Sequence, residues 1–140
     1  MFKATKAIFG ALKRSDMNLK VFTEENEKSS RVWLQFGAKN GSSYRIQFIS
    51  TDDDNDVAVR VFGLISVEDG KGSRVLPVLN QLNSKFRYVK FVMDDDGDIN
   101  VEYDFPVRAT RVEDSAEEIV IRFVRIIDDA FPDLMHALWS

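Results

Sequence analysis

"MDDDGDINVEY", residues Met93 to Tyr103, sets four aspartates and a glycine between two apolar runs. A calcium loop, a cluster of catalytic acids and the tip of a β-hairpin all use such residues, and each implies a different protein. An EF-hand loop needs oxygen ligands at its first, third and fifth positions, Gly at the sixth and an acid at the twelfth. Beginning at Asp94 puts Ile99 where the Gly belongs, and making Gly97 the sixth residue puts Val92 first. Both registers fail. The flanks also alternate as strands do: Val89, Phe91 and Met93 before the acids, and Ile99, Val101, Tyr103 and Phe105 after them, with Asn100, Glu102 and Asp104 facing away. A glycine after several aspartates is what a short hairpin loop with one left-handed residue requires. The stretch predicts a hairpin.

Upstream, period-two alternation predicts four more strands. Met17, Leu19 and Val21 share a side, as do Val32, Leu34 and Phe36, then Tyr44, Ile46 and Phe48, then Val57, Val59, Val61 and Ile65. Short polar connections join them, including an Asn40-Gly41 turn, so they predict an antiparallel meander. The opposite face carries Trp33, Gln35, Arg45, Gln47, Arg60 and Phe62, a mixed surface with enough apolar area to bind something.

Three helices complete the order. Ala4, Ala7, Ile8, Ala11 and Leu12 recur at helical spacing within residues 2–14, with basic residues on the other side. Val75, Leu79, Leu82 and Phe86 form a second stripe, and Pro77 places its start near Arg74 to Leu76, because proline lacks the intrahelical donor. The third runs through "VEDSAEEIVIRFVRIIDDAFPDLMHALW". Ser115 and Glu118 match a capping box at its start, Pro132 predicts a kink or restart, and its apolar set is broad enough to meet more than the sheet. The expected fold is α+β, a mainly antiparallel sheet covered by helices in the order α-β-β-β-β-α-β-β-α, as a single domain over residues 1–140.

Composition narrows the class. A 44% hydrophobic, 30% charged chain of 140 residues has the make-up of a globular protein long enough to bury a core. With no cysteine there is no disulfide, thiolate metal site or cysteine nucleophile, and a cytoplasmic setting is expected. No segment reaches the roughly 18 apolar residues of a membrane span, and no export signal is visible. A net charge of −4 argues against a nucleic-acid surface, although basic and aromatic residues interleave in "KFRYVKF"; Phe86, Val89 and Phe91 there suit a core. His136 is the only histidine and has no nucleophile-elbow serine to serve. Gly70-Lys71-Gly72-Ser73 lacks phosphate-loop spacing. No enzyme activity and no cofactor are expected.

The run "LPVLNQLNSKFRYVKFVMDDDGDINVEYDFPV", followed by a helix containing "DDAFPDLMHAL", resembles the YbjN family of small bacterial proteins. The matching positions are Leu79, Asn80, Leu82 and Asn83 in a helix, then Asp96, Gly97 and Asp98 in an acidic turn. Tyr103 and Pro106 follow at the end of a strand, and Phe131 and Pro132 in a closing helix. The resemblance implies a fold similar to type III secretion chaperones, often dimeric, and a role in sensory transduction. It implies no catalytic residue.

The functional expectation is a protein-interaction domain, a homodimeric chaperone-like adaptor or regulator that holds a partner protein on an exposed sheet face or edge. Trp33, Ile49 and Phe62 are its candidate anchors, because large side chains dominate interface energy. The alternative is a divalent-cation or small-ligand sensor whose acidic tips, Asp52 to Asp56 and Asp94 to Asp98, bind a divalent cation, which the two would share if they sat at the same end of the sheet.

Overall fold

A computed structural model describes residues 1–52, 55–108 and 111–139. Its elements are α1 (Lys3–Lys13), β1 (Phe22–Glu25), β2 (Ser30–Gly37), β3 (Ser43–Ser50), β4 (Asp56–Ser66), α2 (Gly72–Lys85), β5 (Lys90–Met93), β6 (Asp98–Pro106) and α3 (Val112–Trp139). This is the expected order. The strands form one antiparallel sheet in the spatial order β1-β2-β3-β4-β6-β5. Helix α2 carries the chain past the place of β6, so β6 returns beside β4 and β5 becomes an outer strand.

The alternation of apolar residues decides which face is covered. Val32, Leu34, Ile46, Phe48, Val57, Val59, Val61 and Val101 are all buried, and one continuous core joins them to Ile8 and Leu12 of α1, Leu79 and Leu82 of α2, and Phe123 and Ile127 of α3. The broad apolar set of α3 is accounted for by its neighbours: it packs on α1 and α2 as well as facing the sheet. Fully buried Phe123 is a keystone of this layer, and truncation to alanine would cost about 3–5 kcal/mol.

The decisive stretch is a hairpin. Asp94 donates its N–H to the Asp98 carbonyl at 2.9 Å, Gly97 donates to the Asp94 carbonyl at 3.0 Å, and Gly97 takes φ 82°. The Asp94 carboxylate accepts the backbone N–H groups of Asp96 and Asp98, each at 3.0 Å, and so closes the turn on itself. The Asn40-Gly41 turn is built alike, with Gly41 at φ 88°.

Several boundaries differ from the sequence expectation. Residues 17–21 are not a strand: Asn18 adopts φ 55°, a left-handed conformation that interrupts extended chain, so β1 begins only at Phe22. In β4 the alternation breaks between Val61 and Ile65, where an irregularity centred on Gly63 at φ 61° buries Leu64 as well as Ile65. Helix α2 starts at Gly72, before the position proposed from Pro77. Pro77 and Ser73 are both exposed, so water can serve the carbonyl that proline leaves without a donor. Helix α3 starts at Val112, which puts Ser115 inside it; the Ser115 N–H bonds to the Arg111 carbonyl at 3.2 Å, and the expected capping box is not the cap. Arg111 instead pairs with Glu113 and Asp114 at 3.3 and 3.1 Å. The helix continues through exposed Pro132.

Candidate partner-binding surface

Among the described residues the helices all pack on one face of the sheet, so the other face is the place to look for a binding surface. Strand register lays its residues out in rows. Phe22, Trp33, Gln47, Arg60, Glu102 and Lys90 lie side by side across all six strands. The neighbouring row contains Glu24, Arg31, Ile49, Ala58 and Asp104. This face is a charged mosaic with apolar islands.

Trp33 is the best-supported island. Phe22 stacks on it with ring centroids 4.3 Å apart and planes at 15°, and the Arg45 guanidinium carbon lies 3.9 Å from the centre of the indole. Stacking and cation–π contact each contribute on the order of 1 kcal/mol and hold the half-buried indole in one orientation. Arg31 donates to the Gln47 carboxamide oxygen at 3.0 Å, and Arg60 pairs with Asp104 at 2.7 Å, so the polar surroundings are also ordered.

The three anchors expected from sequence all lie on this face, but they do not form one patch. Ile49 stands between Arg31 and Ala58, one row away from Trp33, and lines a shallow cavity with Thr51, Ala58 and Arg60. Phe62 is 50% exposed and lies beyond the Gln47–Arg60 row, roughly 10 Å or more from the other two by strand spacing. The sequence reading missed Phe22 and the role of Arg45. The signal was present, since a turn centred on Glu27-Lys28 puts Phe22 opposite Trp33.

The acidic tips do not converge. Asp56 is opposite Pro106 and Asp98 is opposite Ser66, so they mark opposite ends of the β4–β6 ladder, roughly 25 Å apart by strand rise. Asp53 and Asp54 lie outside the described residues. Asp52 accepts the Asn55 backbone N–H at 2.8 Å. Among the described residues no three acidic or histidine side chains gather as metal ligands would.

The resolved shifts in acidity also follow structure. Asp94 is held below the ordinary carboxyl range, first by the Asp98 N–H and then by Asn100. Glu113 is lowered chiefly by its own backbone N–H, with Arg111 adding to the effect. On the helix side, burial pushes the Tyr88 phenol upward and the neighbouring Tyr103 adds to this, the two rings being stacked at 4.4 Å with Arg122 over Tyr88. Burial and the charge of Asp128 raise Tyr44. Among the described residues no helix is long and apolar enough to cross a membrane.

A family model, YbjN, described as "Putative bacterial sensory transduction regulator", matches residues 8–135. No curated protein matches the chain. A similar solved structure is the heterodimeric complex ExoU-SpcU from the type III secretion system of Pseudomonas aeruginosa. The matched chain there is 17% identical with a TM-score of 0.47, over 94% of this chain and 98% of that one.

Proposed function

Because this chain belongs to the YbjN family, we propose that residues 1–140 act as one non-enzymatic protein-interaction domain, a chaperone-like adaptor or sensory transduction regulator. It holds a partner protein on the outer sheet face, with Trp33 as the principal anchor and Ile49 and Phe62 as flanking contacts. The same reading takes it to be a cytoplasmic homodimer.

One observation carries this reading: the face on which no helix packs among the described residues presents an indole already fixed between Phe22 and Arg45. An anchor ordered before binding loses little side-chain entropy on contact, and aromatic and arginine side chains are the usual centres of interface energy.

The test is affinity capture from native lysate with the wild-type protein and Trp33→Glu, each first shown to unfold cooperatively. A stoichiometric protein partner is expected with the wild type and lost with the variant. Retention of that partner by folded Trp33→Glu would overturn the assignment of the surface.

A further inference from the structure

Strand β2 is longer than the strand beside it. β3 pairs with β2 from Ser30 to Gly37, whereas β1 pairs only with Ser30 to Trp33. The direction of the remaining backbone groups follows from the turns. Ala38 donates its N–H to the Ser42 carbonyl at 2.8 Å, which makes Ala38 and Ser42 a bonded pair. Alternation along an antiparallel ladder then turns Phe36 and Leu34 toward β3, and Gln35 and Gly37 away from it. The other turn agrees: Asn26 donates to Ser29 at 2.9 Å, so Glu24–Arg31 and Phe22–Trp33 are bonded pairs on the β1 side. Gln35 and Gly37 would continue that series opposite residues 20 and 18. The chain has left the edge before reaching them, with Asn18 turned to φ 55°. Among the described residues no backbone group pairs with the outward N–H and C=O of Gln35 or Gly37.

This open edge borders a cavity of ≈ 390 Å³ whose apolar lining includes Leu19, Phe22, Leu34 and Phe36, with Lys20 at its rim. Its charge is distinctive. From Lys28 to Thr51 the chain holds no Asp or Glu but has Lys28, Arg31, Lys39 and Arg45, in a protein of net charge −4. Lys20 is exposed at the notch, Lys39 is exposed in the turn that follows Gly37, and Arg45 is exposed opposite Gln35 on β3.

We infer that this notch takes an extended acidic and apolar segment of a partner protein, which adds to β2 as a strand beside Gln35 and Gly37. The inference rests on the protein-binding reading above and narrows it to one edge. Backbone pairing supplies affinity in this mode, the apolar cavity takes alternate side chains, and the basic rim selects acidic ones. A second copy of this chain does not fit: antiparallel pairing of two such edges would run the copy's β1 into the turn at residues 38–42.

The experiment is an NMR titration of the ¹⁵N-labelled full chain with two synthetic peptides, one alternating glutamate with valine and one alternating lysine with valine. Saturable shifts and slowed hydrogen exchange at the Gln35 and Gly37 amides are expected with the glutamate peptide, and binding of the lysine peptide at least about tenfold weaker. Gln35→Pro removes an N–H that β3 does not use and should abolish the response. Lys20→Glu with Lys39→Glu, both outside the ladder, should weaken it by a similar factor if Gln35→Pro fails to fold. Unmoved Gln35 and Gly37 amides with both peptides would overturn the inference. So would capture of the cellular partner that is lost in Trp33→Glu but undiminished in the Lys20→Glu, Lys39→Glu protein, an outcome that leaves the outer-face reading standing.

Discussion

The carboxamide of Asn83 holds both backbone groups of Phe91, accepting its N–H at 2.6 Å and donating to its carbonyl at 3.0 Å. Phe91 lies on β5, the outer strand on that side, opposite Val101. Because Asp94 and Asp98 are a bonded pair, Phe91 turns its backbone away from β6, and Asn83 occupies the place of another strand. One edge of the sheet is therefore capped from α2 while, among the described residues, the edge of β2 stays open.

Asn83→Ala should lower stability by about 1–3 kcal/mol, since a polar pair at a half-buried site loses its partner. It should also produce concentration-dependent self-association, because an uncapped edge templates further pairing. Denaturant unfolding and sedimentation velocity check the two effects. An unchanged midpoint and a monodisperse profile would refute the capping role.

The glycines should respond in opposite directions. At Gly97, φ is 82° and an added Cβ would meet the Val67 carbonyl oxygen at 3.0 Å, while the Val67 N–H is itself bonded to the Gly97 carbonyl at 2.8 Å. Gly97→Ala should cost about 2 kcal/mol from the left-handed conformation alone. In α1, the nearest atom to a Cβ on Gly10 is the movable Arg14 guanidinium, so Gly10→Ala should stabilise by about 0.5–1 kcal/mol. Urea unfolding of the two variants measures both signs.

Asn100 couples the irregular part of β4 to the hairpin tip. It is buried, accepts the Gly63 N–H at 2.8 Å and donates to the Asp94 carboxylate at 3.1 Å. Asn100→Ala should cost about 1–3 kcal/mol and move the Asp94 carboxyl upward toward its ordinary range, though not fully, because the larger influence, the Asp98 N–H, remains. Asp94 titrates lower folded than unfolded. Its stabilising contribution is present above the unfolded value and is lost as pH falls through the folded one. Carbon-detected NMR titration of Asp94 in both proteins checks the shift.

The tyrosines predict alkaline behaviour. Tyr44 and Tyr88 both ionise later in the folded protein than free phenol does, chiefly because burial penalises the phenolate. Raised folded values mean that their contribution is intact below the unfolded value of about 10 and declines as pH rises past it. Tyrosinate absorbance should therefore account for no more than one of the three tyrosines until the protein unfolds in alkali. Smooth titration of all three in the native state would contradict this.

Much of this was legible because alternation and turn chemistry are local. Asp94 to Asp98 could be read as a hairpin from one glycine and its flanks, and the covered face from Val32, Leu34, Ile46 and Phe48. What failed depended on single dihedral angles or distant partners. Asn18 interrupts an otherwise plausible strand by adopting φ 55°, and nothing in the pattern of Met17, Leu19 and Val21 announces it. The convergence of the acidic tips was a question of strand order, settled by β6 pairing with β4. Asn83 was visible only as a member of a family-like pattern, because its role lies in the backbone of a strand eight residues away. Trp33, Ile49 and Phe62 were assigned to the outer face, but that Gln47 and Arg60 separate Ile49 from Phe62 needs the register.

The most direct measurement is hydroxyl-radical footprinting of the protein, free and bound to its captured partner, read by mass spectrometry. Protection is expected for Trp33, Phe22 and Phe62 on the outer face, with Trp139 and Leu76 on the helices, 73% and 53% exposed, oxidised equally in both states. Protection of Trp139 and Leu76 with Trp33 unchanged would contradict it and place the partner on the helical side.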